Sequence, residues 1–260
     1  MRAGITSWLK NLKTRPPAAL AGSAETYAPD TPFFAIGDVH GCAVQLEKLL
    51  AELDGIASGE ENLVFLGDYI DRGPQTREVL TRLYDLNRRM PGRTTCLMGN
   101  HERMMLDFID DPAGDGLHWL QNGGFETLKS FGVLTVQHRL DSSTCIGLAN
   151  RLEAALPRGM QEWLRALPLQ WSSGNMHCVH AAMSPRRAPH VQRAQTLLWG
   201  HPNFLNTARE DSSVVVHGHT IVKQAGLSAS RISLDTGAYR TGRLSAARIS
   251  TGACQFIEVQ

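Results

Sequence analysis

Asp38 and His40 stand two residues apart between Gly37 and Gly41, so one turn can present an oxygen and a nitrogen ligand to the same cation. An Asp-x-His pair is also a common way to cap a loop, and by itself it does not separate the two roles. Asp68 follows Gly67, and Asn100 and His101 follow Gly99, each glycine permitting close backbone approach. His180 and His219 come at the ends of two further β-rich runs, Cys178-Val179 and Val214 to His217. A lone histidine in such a place is by default a core residue, but here several polar residues recur in the same structural context. Pooled, Asp38, His40, Asp68, Asn100, His180 and His219 offer nitrogen and oxygen donors without thiolate, a set that suits manganese, iron or zinc. So many ligands exceed the needs of one open catalytic metal and match a binuclear site with a bridging carboxylate and a bridging water. Asp68 is the expected bridge.

These residues need elements that bring them together. Phe33 to Ile36 is a short apolar run leading into Gly-Asp-Val-His-Gly, after which Leu46, Leu49, Leu50 and Leu53 recur at helical spacing. The strand, loop, helix pattern repeats at Leu63 to Leu66, Gly67-Asp68 and a helix bearing Val79, Leu80 and Leu83. It repeats again at Thr94 to Met98, Gly99 to Glu102 and a helix bearing Met105, Phe108 and Ile109. Polar clusters then lie at the carboxyl ends of strands, where open α/β sheets build their sites. Trp119 to Leu167 reads as largely helical, broken at Asn122-Gly123-Gly124 and Phe131-Gly132, and is expected to cover one side of the site. Strands are predicted near Met176 to Val179, Val214 to Val216, Ile232 to Leu234, Leu244 to Ile249 and Gln255 to Val259, with loops at Pro185 to Pro189 and Gly200 to Arg209.

The 260 residues fit one elaborated α/β domain, predicted over 31–260, preceded by a Pro-, Ala- and Ser-rich leader over 1–30. A formal net charge of +1 gives no global attraction to nucleic acid or to an anionic membrane, so neither is an expected partner. The five cysteines are dispersed without a C-x-x-C pair, which predicts neither a disulfide framework nor a thiolate zinc site and points to a reducing, cytoplasmic location. No stretch reaches the roughly 18 apolar residues of a membrane span.

Gly37-Asp-Val-His-Gly41, Gly67-Asp-Tyr-Ile-Asp-Arg-Gly73, Gly99-Asn-His-Glu102, Val179-His180 and Gly218-His-Thr220 resemble, in order and spacing, the signatures of the calcineurin-like metallophosphatases. The Gly-Asp-x-x-Asp-Arg-Gly and Gly-Asn-His-Glu forms resemble their phosphoprotein phosphatase branch. Trp119-Leu-Gln-Asn-Gly-Gly124, Leu198-Trp199 and Asp235-Thr-Gly-Ala-Tyr239 are similar to bacterial serine/threonine phosphatases. The resemblance implies a four-layer α-β-β-α sandwich of two mixed sheets flanked by helices. It implies Asp38, His40 and Asp68 on one metal and Asp68, Asn100, His180 and His219 on the other, with manganese the expected ion. It further implies that a metal-bridging hydroxide attacks phosphorus, with His101 as general acid, Asp71 orienting it, and Arg72 gripping phosphate oxygens, a task that suits a planar guanidinium.

One part of the pattern is missing. Such relatives carry a glycine after the Val-His-Ala segment and an arginine near the Leu-Trp element, whereas this chain has Ala182, Ser184 and Leu198-Trp199-Gly200-His201. His201 is the expected replacement for the second phosphate donor, with Arg209 and Arg186 as other candidates. Tyr239 aligns with a cleft-lining tyrosine, and His217, alternating with His219, is expected to point away. The leading function is hydrolysis of phosphoserine or phosphothreonine, extending to phosphotyrosine or small phosphate esters. The alternatives are symmetrical hydrolysis of diadenosine tetraphosphate and a silent module that binds phosphorylated ligands. A phosphodiesterase ranks last, because Gly218-His219-Thr220-Ile221 lacks a second histidine.

Overall fold

The computed structural model describes residues 27–114, 116–133 and 140–260. Strand β1 (Phe33–Ile36), helix α1 (Ala43–Ile56), β2 (Asn62–Phe65), α2 (Thr76–Arg89), β3 (Thr94–Cys96) and α3 (Asn100–Asp110) follow the alternation read from the sequence. A helical stretch comes next: α4 (Gly116–Trp119), a π-helical turn over Leu120–Gly124, α5 (Phe125–Ser130), α6 (Ser142–Ala155) and α7 (Met160–Arg165). The second half holds β4 (Gln170–Ser173), β5 (Met176–Val179), α8 (Ala194–Trp199), β6 (Val214–His217), β7 (Gly226–Ser228), β8 (Arg231–Ser233), α9 (Ala238–Thr241), β9 (Leu244–Ser250) and β10 (Ala253–Val259).

Two five-stranded mixed sheets result, ordered β10-β9-β1-β2-β3 and β4-β5-β6-β8-β7. In the first, β1, β2 and β3 run parallel, joined by helical crossovers, and β9 and β10 close the sheet antiparallel. In the second, β5, β6 and β8 are parallel, with β4 and β7 as antiparallel edges. The period-two alternation of strand side chains explains why all of β1 is apolar and buried. Phe33 and Ala35 face the second sheet, packing with Val64, Leu66, Cys178, Val216 and Ile232. Phe34 and Ile36 face the opposite way, against Leu46 and Leu49 of α1 and Val79 and Leu83 of α2. On the far side of the second sheet, Val179 and Val215 pack with Met183, Leu197 and Phe204. Helix, sheet, sheet and helix are thus stacked as four layers, and the α/β sandwich expected from the sequence is the fold.

The edge strands β4 and β7 lack an apolar run of strand length and do not stand out in the sequence; pairing with β5 and β8 supplies their structure. The expected leader lies mostly outside the described residues. Its last residues are already fixed: the Ala28 N–H donates to Asn175, the Asp30 N–H to Ser173 Oγ, and Tyr27 O accepts from Gly252. The five cysteines are all free thiols. No helix among the described residues is long and apolar enough to cross a membrane.

At the end of the first sheet remote from the polar clusters, buried Glu61 accepts from the Ser58 N–H and hydroxyl and from Arg248 of β9. Burial alone would push its carboxyl up, but the Ser58 donors and the Arg248 guanidinium hold it at about 2. Because the folded value lies below the unfolded one, about 4.3, this stabilisation is complete above the unfolded value and fades as pH falls toward the folded one. Glu61→Gln is expected to lower the unfolding free energy on the order of 1–3 kcal/mol at neutral pH. Urea unfolding should show the gap to wild type narrowing below about pH 4.3.

Candidate metal centre and acid dyad

Each predicted ligand sits just beyond a strand of the parallel sets: Asp38 and His40 after β1, Asp68 after β2, Asn100 after β3, His180 after β5 and His219 after β6. Turning so sharply off a strand puts backbone into rarely used conformations. His40, Asp68, Asp71, Arg72 and His219 all have positive φ, between 43° and 70°. The other non-glycine residues of this kind among those described, Ala229 and Ser230, form the β7–β8 turn. Strain of this sort costs of order 1–3 kcal/mol per residue and persists where the surroundings over-determine it.

The donor atoms converge. His40, Asp68 and His101 form one group and Asp68, His180 and His219 another, with all ligand atoms of a group within 4.8 Å of one another. Asp68 is common to both, the position expected of a bridge. Asn100 Oδ1 lies 2.8 Å from His180 Nε2 and 3.0 Å from His219 Nδ1. Asp38 enters behind His219, whose backbone N–H donates to its two oxygens at 3.2 and 3.0 Å. Gly218 makes that approach possible, since a Cβ there would lie 2.0 Å from Asp38 Oδ1.

The electrostatics fit divalent cations. Burial lowers the proton affinity of His40 to about 3 and that of His219 to about 4, and burial also lowers that of His180, so the imidazoles are neutral, the form that binds metal. His180 Nδ1 donates to Leu66 O and His40 Nδ1 to Ile70 O, which fixes the tautomer and leaves each Nε2 lone pair facing the cluster. His180 Nε2 and Asn100 Oδ1 are then acceptors aimed at one another. Burial opposes ionisation of Asp68, but His180, His101 and His40 hold its carboxyl well below the usual range. Asp38 is pushed well up by burial and by the charges of Asp235 and Asp68, and Asp235 is pushed to about 6 chiefly by burial. Buried carboxylates that repel one another beside neutral imidazoles are a donor set that two divalent cations would satisfy.

Beside this cluster lies a hydrogen-bonded pair. His101 Nδ1 is 2.6 Å from Asp71 Oδ2, and Asp71 is fully buried. Burial disfavours charge on His101, but the Asp68 carboxylate and the Asp71 hydrogen bond and charge outweigh it and raise its proton affinity. The Arg72 guanidinium reaches both rings, with Nη1 3.0 Å from His40 Nε2 and Nη2 3.0 Å from His101 Nε2. Because a guanidinium only donates, both Nε2 atoms act as acceptors in this arrangement. Tyr239 packs edge-on to His40, centroids 5.3 Å apart, and its ring lies 5.0 Å from Arg72 Cζ.

The remaining expectations fall elsewhere. His217 is buried away from the cluster, bonded to Gly218 O and Ser233 Oγ, as the alternation implied. Among the described residues His201 makes no hydrogen bond to the cluster, and its Nδ1 accepts the Asn203 N–H at 3.2 Å. Arg209 is committed to Ser184 O, Arg187 O and Asp211 and does not reach in, and Arg186 is exposed. Sequence reasoning left out the part played by Glu102. Its carboxyl oxygens accept the N–H groups of Gly99, Asp68, Tyr69 and Ile70, joining the loops after β2 and β3. The signal was present in Gly-Asn-His-Glu but resembled an ordinary helix-start acid.

A family model described as calcineurin-like phosphoesterase matches residues 31–228. Serine/threonine-protein phosphatase 1 of Salmonella typhimurium is 30% identical over 222 residues, covering 83% of this chain and 91% of that protein. A symmetrical bis(5'-nucleosyl)-tetraphosphatase of Legionella pneumophila is 34% identical over 148 residues, covering 48% of this chain and 52% of that one. Among solved structures, the cold-active protein-tyrosine phosphatase of a Shewanella species matches with a TM-score of 0.55 at 20% identity, covering 96% of this chain and 88% of that one, a likeness of fold. With a matching family model and a relative 30% identical over most of both chains, the chain belongs to the calcineurin-like phosphoesterases, in their phosphoprotein phosphatase branch.

Proposed function

We propose that this chain is a two-metal phosphomonoesterase acting on phosphoserine and phosphothreonine, with phosphotyrosine and small phosphate esters as lesser substrates. The observation that carries the reading is the placement of Arg72 between His40 of the donor cluster and His101 of the dyad, which joins a phosphate grip to an acid at one point. Similarity over most of both chains to a serine/threonine phosphatase supports it, whereas the match to a tetraphosphatase spans about half of each chain.

Asp38, His40 and Asp68 would hold one cation and Asp68, Asn100, His180 and His219 the other. Manganese is the favoured ion, and iron or zinc also fits the donors. When bound, the two cations supply the Lewis acidity that activates water and neutralises phosphate charge. Arg72 donates to the non-bridging phosphate oxygens and orients the ester. His101 carries a proton on Nε2 and delivers it to the ester oxygen as the bond to phosphorus breaks, so the leaving group departs as an alcohol. Charging Nε2 requires Arg72 to turn from that nitrogen, and a bound phosphate is the acceptor that would draw it away. Asp71 remains a carboxylate and keeps the other proton on Nδ1. Tyr239 lines the site beside Arg72, and His201 is retained as a candidate substrate contact. The free cysteines support a reducing, cytoplasmic setting.

Chelation of the purified protein should abolish phosphate release from a phosphoserine peptide, and manganese should restore it. If metal-loaded protein released nothing from the peptide but split diadenosine tetraphosphate symmetrically, the monoesterase reading would be wrong. Asp71→Asn is expected to cut turnover of the peptide by roughly 100-fold or more, the usual scale of general acid catalysis. Metal content measured by elemental analysis should be unchanged, because Asp71 is outside the donor groups.

A further inference from the structure

The Asp71-Arg72 segment has an unusual backbone. Both residues adopt left-handed conformations, φ 70° and 67°, side by side and without glycine. Something must hold them there. Thr76 Oγ1 of α2 faces the Asp71 N–H at 3.3 Å, and closer contacts come from the helical stretch from α4 through the π-helical turn to α5. Trp119, the last residue of α4, donates its indole Nε1–H to Asp71 Oδ2 at 2.9 Å. Thr127 of α5 donates its hydroxyl to Asp71 Oδ1 at 2.6 Å and receives the Asp71 N–H at 2.9 Å. Between them the chain leaves helical geometry at Asn122 and Gly123, and Gly123 O faces the Arg72 N–H at 3.4 Å. Gly123 has φ +107°, and a Cβ there would lie 2.9 Å from Arg72 N and 3.3 Å from Asp71 Cβ.

Packing alone would not require this chemistry. Trp119 and Thr127 are both fully buried, and apolar side chains would hold α4 and α5 on the core equally well. Instead two neutral donors are directed at the two oxygens of one carboxylate, Thr127 at Oδ1 and Trp119 at Oδ2, so that Oδ2 accepts from His101 Nδ1 as well in a single orientation. Buried polar networks of this kind fix geometry, because any other rotamer leaves a donor unpaired.

We infer that Trp119 and Thr127 are positioning residues for proton delivery: they lock the Asp71 carboxylate so that His101 keeps its Nδ1 proton inward and presents Nε2 to the ester oxygen. The helical elaboration is thereby part of the acid machinery, and through Gly123 it also aims Arg72. This rests on the monoesterase reading above. The step it serves transfers the Nε2 proton of an imidazolium to the ester oxygen while the phosphorus–oxygen bonding pair stays on that oxygen. The imidazole becomes neutral and Asp71 stays ionised.

A misplaced acid affects substrates unequally, which gives the test. A serine alkoxide needs its proton to leave, whereas a nitrophenolate leaves without one. Full-length, manganese-loaded wild type, Trp119→Phe, Thr127→Val and Thr127→Ser would be compared on a phosphoserine peptide and on nitrophenyl phosphate. Trp119→Phe and Thr127→Val are expected to lower kcat on the peptide by roughly 10-fold or more while changing kcat on nitrophenyl phosphate by less than roughly threefold. Thr127→Ser, which keeps the hydroxyl, should restore the peptide rate. Equal losses on both esters, or no loss on either, overturn the inference. If Trp119→Phe fails to fold, the contrast between valine and serine at position 127 decides. A wild type inactive on both esters sinks the monoesterase reading and this inference with it; an active wild type with equal losses sinks the inference alone.

Discussion

The site depends first on one buried carboxyl group that takes no part in the proposed chemistry. Glu102 accepts N–H groups from Gly99, Asp68, Tyr69 and Ile70, so the first turn of α3 and the loop after β2 share one acceptor. These are backbone donors that would otherwise be orphaned at a helix start and in a left-handed turn, and leaving them unpaired inside the protein costs more than pairing them gains. Burial and the nearby Asp68 charge push the Glu102 carboxyl up to about 8, with the backbone donors acting in the opposite direction. The result is a fixed separation between Asp68 on one loop and Asn100 and His101 on the next. A further tie, from the His101 N–H to Asp68 Oδ1 at 3.0 Å, completes the joint.

The second constraint is charge. Asp38, Asp68 and Asp235 are all nearly inaccessible to solvent, and the imidazoles around them are held neutral by burial. Such an arrangement does little for stability, since each carboxylate loses hydration and repels its neighbours. The arrangement is one that bound cations would offset and that the rest of the sandwich maintains, and the positive φ values at His40, Asp68 and His219 add local strain. The apolar cluster between the sheets supplies offsetting stability.

Legibility in the sequence divided along physical lines. The strand, loop, helix units of the first half were plain because apolar run, glycine and helical spacing agreed at each of them, and the ligand residues occupied the same place in every unit. A binuclear centre with a bridging carboxylate followed from donor counting, and Asp68, assigned as that bridge, is the residue common to both donor groups. Edge strands β4 and β7 were not legible, because short strands such as Gln170–Ser173 carry no pattern of their own and exist through their neighbours. Nor were the contacts of Trp119 and Thr127 with Asp71: residues 48 and 56 positions away in sequence acquire a common purpose only once the helices have packed. Arg209 was a candidate for the second phosphate donor and proved to be bound to Ser184 O, Arg187 O and Asp211, since the carbonyls of a loop announce nothing in a sequence.

The order of the strands has a kinetic meaning. Strand β1 is flanked by β9, a partner more than 200 residues downstream, and Asp38 meets the His219 backbone across 181 positions. Parallel and long-range pairings of this type form slowly, because a large loop must close before any contact rewards it. During synthesis the N-terminal units emerge with their aspartates and histidines unconfined, and a growing chain has no complete donor set until the sixth strand has left the ribosome. Maturation of the site is therefore a late event in the life of the molecule, coupled to closure of both sheets, and an arrested or truncated chain would carry the motifs without the centre.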